Sequence, residues 1–249
     1  MARIDNNPLE LKARLAAAGI TLYIKNGRTI LRPSRSDQPE RRTRKQLAVR
    51  QRLAHGGHLW QTLRRAAEPL FAGGSSPYHR FKALNSLLET VYLTRDQHDG
   101  GATVLLPSMA VSDGGQEEIR YSLGEVFGRP ALVTDLKSSA LLRERYRFYL
   151  LRQEEVQKTP YVRITACEFG ASDAAAVLGR MGVEVLDEGG CVALAGEVFA
   201  DAMCGFALVR MCDGQASPQR VVTRSTYYQR FTTEAALLAA AKSYGGLTQ

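Results

Sequence analysis

"RYRFYLLRQ", residues 145–153, alternates in the two-residue rhythm of a β-strand, and "YVRITACEF", residues 161–169, follows directly after Pro160. The stretches around them read the same way. "ATVLLP" at 102–107 and "RPALVTDL" at 129–136 are short apolar runs bounded by Pro, Gly and Asp, which predicts two more strands. "VEVLDEGGCVALAGEV" at 183–198 reads as a hairpin around Gly189-Gly190. "GFALVRMCDGQASPQRVVTRSTYY" at 205–228 reads as another, with Asp213-Gly214 in or near the turn. Two helices punctuate these strands. One is "SDAAAVLGRMG", with Ser172 as N-cap and Gly182 beyond its end; the other is "TEAALLAAAKSYGG", opened by Thr232 or Thr233 and closed by Gly245. Short strands with regular turn signals predict a β-sandwich or a compact α+β sheet for residues 99–249.

The first 98 residues carry a different pattern. "PLELKARLAAAG" at 8–19 reads as a short helix with Leu11 and Leu15 on one face, or as a first strand covering its C-terminal half. "ITLYIKNGRTILRP" is a hairpin, because Asn26-Gly27 supplies both positive-φ positions of a type I′ turn. Thr43 and Gln46 have the spacing of a capping box, so a helix starts there and runs past Leu47, Leu53, Trp60 and Leu63 to about Phe71. Gly56-Gly57 predicts an interruption in it. A second helix is expected from Pro77 to about Leu93, with Phe81, Leu84, Leu88 and Val91 on one side. "TRDQHDGG" at 94–101 is polar and ends in glycine, which places a domain boundary there. The expected class is therefore α+β: a basic hairpin-plus-helices module over 1–98 and a strand-rich domain over 99–249.

Charge separates the same two parts. The 249 residues carry 33 Lys/Arg and 25 Asp/Glu. Residues 1–67 hold 15 of those cations against four acids, and the remainder holds 18 against 21. Basic charge is densest in "RPSRSDQPERRTRKQLAVRQR", residues 32–52, where Arg32, Arg35, Arg41, Arg42, Arg44, Lys45, Arg50 and Arg52 face only Asp37 and Glu40. Arginine forks match phosphate oxygens, and a helix start adds the pull of its amide dipoles. These eight residues are the expected nucleic-acid-binding set; the alternative is a solvated helix face. Tyr227 and Tyr228 beside Arg224 and Arg230 add aromatic–cation interleaving, equally ordinary for an edge strand. Trp60 has the spacing of a core residue.

No phosphate loop, dinucleotide fingerprint, nucleophile elbow or zinc-protease motif occurs, and nothing calls for a cofactor. His55 and His58 stand three apart, without an obvious third ligand, and read as surface histidines at a helix break. Glu117-Glu118 and Glu154-Glu155 are adjacent rather than facing, and read as solvated. Cys167, Cys191, Cys204 and Cys212 form no C-x-x-C pair and read as reduced core thiols. Met1-Ala2-Arg3-Ile4 opens no apolar run, and no stretch approaches the roughly 18 apolar residues of a membrane span; a cytoplasmic location is expected.

The hairpin with its basic tail and the Thr43, Gln46, Arg50 helix start resembles the N-terminal module of an uncharacterised Bacteroidetes protein family, with phage- and prophage-like counterparts. "LLPSMAVSDGG" at 105–115 resembles the passage that opens the second half of such proteins; Arg44 stands where the family commonly has proline. The resemblance implies a bacterial protein linked to mobile elements and assigns no activity. The leading expectation is a non-enzymatic protein that binds the nucleic-acid phosphate backbone through its N-terminal module. The alternative is a structural or assembly component whose hairpin contacts protein subunits.

Overall fold

A computed structural model describes residues 15, 17–25, 28–33, 43–67, 70–71, 76–88, 92–224 and 233–245. The chain divides into two compact units, 1–41 and 42–247. The first holds the hairpin: β1 (Ile20–Lys25) pairs antiparallel with β2 (Arg28–Pro33), with Lys25 opposite Arg28; the Asn26-Gly27 pair expected to form the turn lies outside the described residues. Of the helix expected at 8–19, Leu15, Ala17, Ala18 and Gly19 fall among the described residues; Leu15 and Ala17 are helical, and Gly19 lies in the turn that follows at φ +68°.

The second unit begins with α1 (Arg44–Ala67) and α2 (Pro77–Asn85), followed by α3 (Arg95–Asp99). Its strands are β3 (Ala110–Ser112), β4 (Tyr121–Val126), β5 (Arg129–Lys137), β6 (Arg145–Val156) and β7 (Thr159–Phe169). After α4 (Ala174–Gly179) come β8 (Glu184–Glu188), β9 (Cys191–Ala195), β10 (Cys204–Cys212), β11 (Gln215–Ala216), β12 (Gln219–Arg220) and β13 (Val222–Thr223). Helix α5 (Glu234–Ser243) is the last described element.

The long antiparallel pair β6–β7 anchors a five-stranded sheet in the order β11-β10-β6-β7, with β13 also on β10. A four-stranded sheet runs β4-β5-β9-β8. Strand alternation puts the first sheet between two cores, because successive side chains point to opposite faces. Tyr149 and Leu151 of β6, with Ala207 and Val209 of β10, join Leu59, Trp60, Leu63 and Phe81 of the helices. Tyr146 and Phe148, with Phe206 and Leu208, join Leu132, Val192 and Leu194 of the four-stranded sheet. The architecture is α+β: a two-sheet sandwich with α1 and α2 on one outer face and Ala174 and Leu178 of α4 in the core between the sheets.

The shared helix–sheet core moves the boundary expected near residue 98. Helix α1 buries Leu59, Leu63 and Ala67 against the sheet, so the unit boundary falls at 41/42 instead. The polar segment 94–101 is no linker. Thr94 and Gln97 form a full capping box on α3, and the Gln97 amide donates to Lys158 O at 3.0 Å. Helix α1 also runs unbroken through Gly56-Gly57, because its buried line from Leu47 through Gln51 and His55 to Leu59 and Leu63 is held on both sides of the pair. Helix α2 stops at Asn85, short of the expected Leu93.

"ATVLLP" is buried but joins no strand ladder. Its backbone is satisfied by scattered partners instead: Ala102 N donates to Gln97 O (2.9 Å) and Thr103 N to Pro160 O (2.9 Å), and side chains take much of the rest. Leu105 N donates to Gln153 Oε1 (2.7 Å), Gln153 Nε2 donates to Thr103 O (3.3 Å), and His55 Nε2 donates to Val104 O (3.2 Å). The two hairpin turns read from glycine are where they were expected: Gly189 and Gly190 (φ +59° and +81°) connect β8 to β9, and Asp213 and Gly214 (φ +50° and +74°) connect β10 to β11. Asp173, rather than Ser172, occupies the N-cap position of α4. Thr233 caps α5 by accepting from Ala236 N at 3.2 Å. No helix among the described residues is long and apolar enough to cross a membrane.

Candidate nucleic-acid interface

Helix α1 has six Lys/Arg and no acid in 24 residues. At 1.5 Å per residue it is about 36 Å long. Its start is built as the sequence indicated: Gln46 N donates to Thr43 Oγ1 (3.3 Å) and Thr43 N donates to Gln46 Oε1 (3.1 Å). One face buries Leu47, Gln51, His55, Leu59, Leu63 and Ala67 at four-residue steps. The face turned away carries Val49, Arg50, Leu53, Gln61 and Arg64, all exposed. Lys45, Arg64 and Arg65 are exposed and make no ion pair among the described residues.

The C-terminal end of α1 is fixed by the sheet. The carbonyl of Ala66 accepts from Arg147 Nη1 (2.5 Å) and from the Tyr149 hydroxyl (2.8 Å), and Arg147 is also paired with Glu168. Burial pushes the Tyr149 hydroxyl up to about 12, so it stays a donor across the physiological range. A cation and a phenol on the last carbonyls complement the negative end of the helix dipole. This anchor holds Arg64 and Arg65 at a defined place in the last turn. Strand pattern alone does not show it, because Arg147 and Tyr149 meet Ala66 only through the fold.

The eight residues expected to bind are distributed as follows. Arg32 lies in β2 of the first unit; Arg35, Arg41 and Arg42 lie outside the described residues. Arg44 is the first residue of α1, and Lys45 and Arg50 are exposed along it. Arg52 is half-buried and donates to Ser86 O at 3.0 Å, which ties it to the end of α2. Arg64 and Arg65 extend the cationic run to the other end of the same helix. Tyr227, Tyr228 and Arg230 lie outside the described residues.

Trp60 is core, packed edge-on to Phe71 (5.8 Å) and tilted against Phe81 (5.3 Å), so it offers no platform for a base. Of the two histidines read as surface residues, His55 is buried, and burial lowers its pKa to about 4; His58 is partly buried beside His98, with ring centroids 5.6 Å apart. Among the described residues no three of His, Cys, Asp and Glu converge as a metal set. Glu154 and Glu117 sit in ion pairs with Arg163 and Arg210. The four cysteines are unpaired thiols. Comparison with family models, curated proteins and solved structures returns no match.

Proposed function

We propose that the protein binds nucleic acid, through phosphate contacts and with little sequence preference. The observation that carries this reading is the acid-free helix α1, whose Lys45, Arg64 and Arg65 project without ion-pair partners among the described residues. In sequence it directly continues the basic tract that begins at Arg32. Neutralised phosphates release counterions, so affinity must fall steeply with salt. The test replaces Arg41, Arg42, Arg44 and Lys45 by glutamine, leaving Thr43 and Gln46 intact. The log–log salt slope on duplex DNA or RNA becomes shallower by up to about 3 to 4 units, at roughly 0.9 per contact on duplex DNA. Absence of salt-dependent binding by the wild type near physiological ionic strength overturns the reading.

A second reading is favoured by the hairpin. A two-stranded sheet alone is marginal in water, and Leu31 of β2 is 58% exposed. An assembly role through this hairpin predicts concentration-dependent self-association in the absence of nucleic acid, and loss of that association in Leu31→Lys.

A further inference from the structure

A second basic site lies in the sandwich, far along the sequence from α1. At one end of the two sheets a cleft of about 670 Å³ is lined by Arg129, Arg152, Arg163 and Arg180, with Glu154, Glu197 and Asp201. Its floor is the β6–β7 pair. Arg152 stands directly opposite Arg163 in the register, next to the opposed pair Leu150 and Thr165. Like charges directly opposite on one sheet face destabilise the pairing. The fold nevertheless places two guanidiniums there, and presents Arg129 and Arg180 from other elements.

The arginines are only partly committed to carboxylates. Arg163 Nη2 meets Glu154 Oε2 at 3.0 Å and Arg129 Nη1 meets Glu184 Oε2 at 2.6 Å. Arg152 reaches Asp201 at 3.7 Å and also contacts the Cys204 side chain, while Asp201 accepts from Met203 N (2.8 Å) and the Cys204 thiol (3.3 Å). Arg180, at the C-terminal end of α4, makes no ion pair among the described residues. A guanidinium has five N–H donors, so these contacts leave most of them available. The Thr165 hydroxyl is exposed on the same floor. The opposite wall is set by backbone contact. Gly196 lies so close to Gly182 that a Cβ there would fall 2.3 Å from Gly182 O, so the loops bearing Arg180 and Glu197 run side by side.

We infer that this cleft binds a small organic phosphate carrying at least two negative charges. Competition with Glu154 and Asp201 for the arginines requires more than one charge on the ligand, and the guanidinium fork suits phosphoryl oxygens. The volume lies within the roughly 300–1,000 Å³ typical of small-ligand pockets, and Leu150, Met181 and Val198 provide apolar wall for an organic part. A polymer is disfavoured because the chain beyond residue 67 has more acids than cations, so the field there does not attract a polyanion.

The test is calorimetric titration of the full chain with pyrophosphate and with adenosine diphosphate. One saturable site is expected, weakened about tenfold or more by Arg163→Gln and by Arg180→Gln, and unchanged in Arg64→Gln/Arg65→Gln. Arg180→Gln alters an exposed side chain, so its unliganded melting temperature stays at the wild-type value and keeps the test clear of misfolding. Three results each overturn the inference: no saturable heat with either ligand up to about 5 mM, equal affinity in Arg163→Gln, Arg180→Gln and wild type, or an oligonucleotide occupying the cleft with both small phosphates failing to displace it. Because Arg64 and Arg65 belong to α1 alone, failure here leaves the nucleic-acid reading standing, and failure of that reading leaves this one standing.

Discussion

At the scale of single residues, His55 shows how burial converts a titratable side chain into a pH liability. Its Nε2–H donates to Val104 O, while its Nδ1 is buried without a partner, and His58 adds like charge nearby. Burial lowers its pKa from 6.5 to about 4. The unfolded chain therefore binds a proton more readily than the folded one. The neutral-His contribution is fully present above pH 6.5 and is lost as pH falls towards 4, roughly 3 kcal/mol in all. Urea midpoints measured at pH 7.5 and 4.5 report it. His55→Gln, which can still donate to Val104 O, flattens the dependence; an unchanged profile refutes the assignment. The thiols behave differently. Burial pushes up Cys167 and Cys204, and burial together with Asp213 pushes up Cys212, so these three react slowly with thiol reagents in the native protein, with labelling accelerating on unfolding.

At the scale of elements, α1 contains its own control. Gly56 is helical, and a Cβ added to it meets nothing within 4 Å. Gly56→Ala removes backbone entropy from the unfolded chain without a clash, and raises stability by up to about 1 kcal/mol by thermal or urea melting. A loss would show that the helix interior is not as open as the geometry indicates. The two T-x-x-Q boxes supply a matched pair of losses. Thr43→Ala and Thr94→Ala each cost about 1 kcal/mol. Thr43→Ala leaves the salt dependence of nucleic-acid binding in place, because it removes no cation. The same four-residue signature occurs at both sites. At 94–97, however, the flanking Arg, Asp and Gly obscure it, so a helix reads as a linker.

For the whole molecule, the decisive fact is that one sheet serves two cores. Leu59, Trp60 and Leu63 share a core with Tyr149, Leu151 and Val209. Limited proteolysis therefore releases a stable fragment beginning near residue 42, while a fragment beginning near 99 lacks the helical cover of its sheet and fails to fold. First cuts within 94–101 that leave two folded products would contradict this. Local signals determined much on their own: the α+β class, strands over 129–136, 145–153 and 161–169, which the structure extends by up to three residues, the glycine turns at 189–190 and 213–214, and helix starts at Thr43 and at Thr232 or Thr233. Each of these depends on spacing, capping chemistry or φ, which a few adjacent residues specify. The concentration of cations in residues 1–67 is likewise a property of the sequence. Only the tertiary structure decided that α1 survives its two glycines, that "ATVLLP" is buried with scattered backbone and side-chain hydrogen bonds rather than a ladder, and that Arg147 and Tyr149 anchor Ala66. It alone brought Arg129 and Arg180 to the cross-strand pair Arg152 and Arg163. Those outcomes depend on which distant segments cover a given face, and burial energy shared across the core outweighs the local preference of any one stretch.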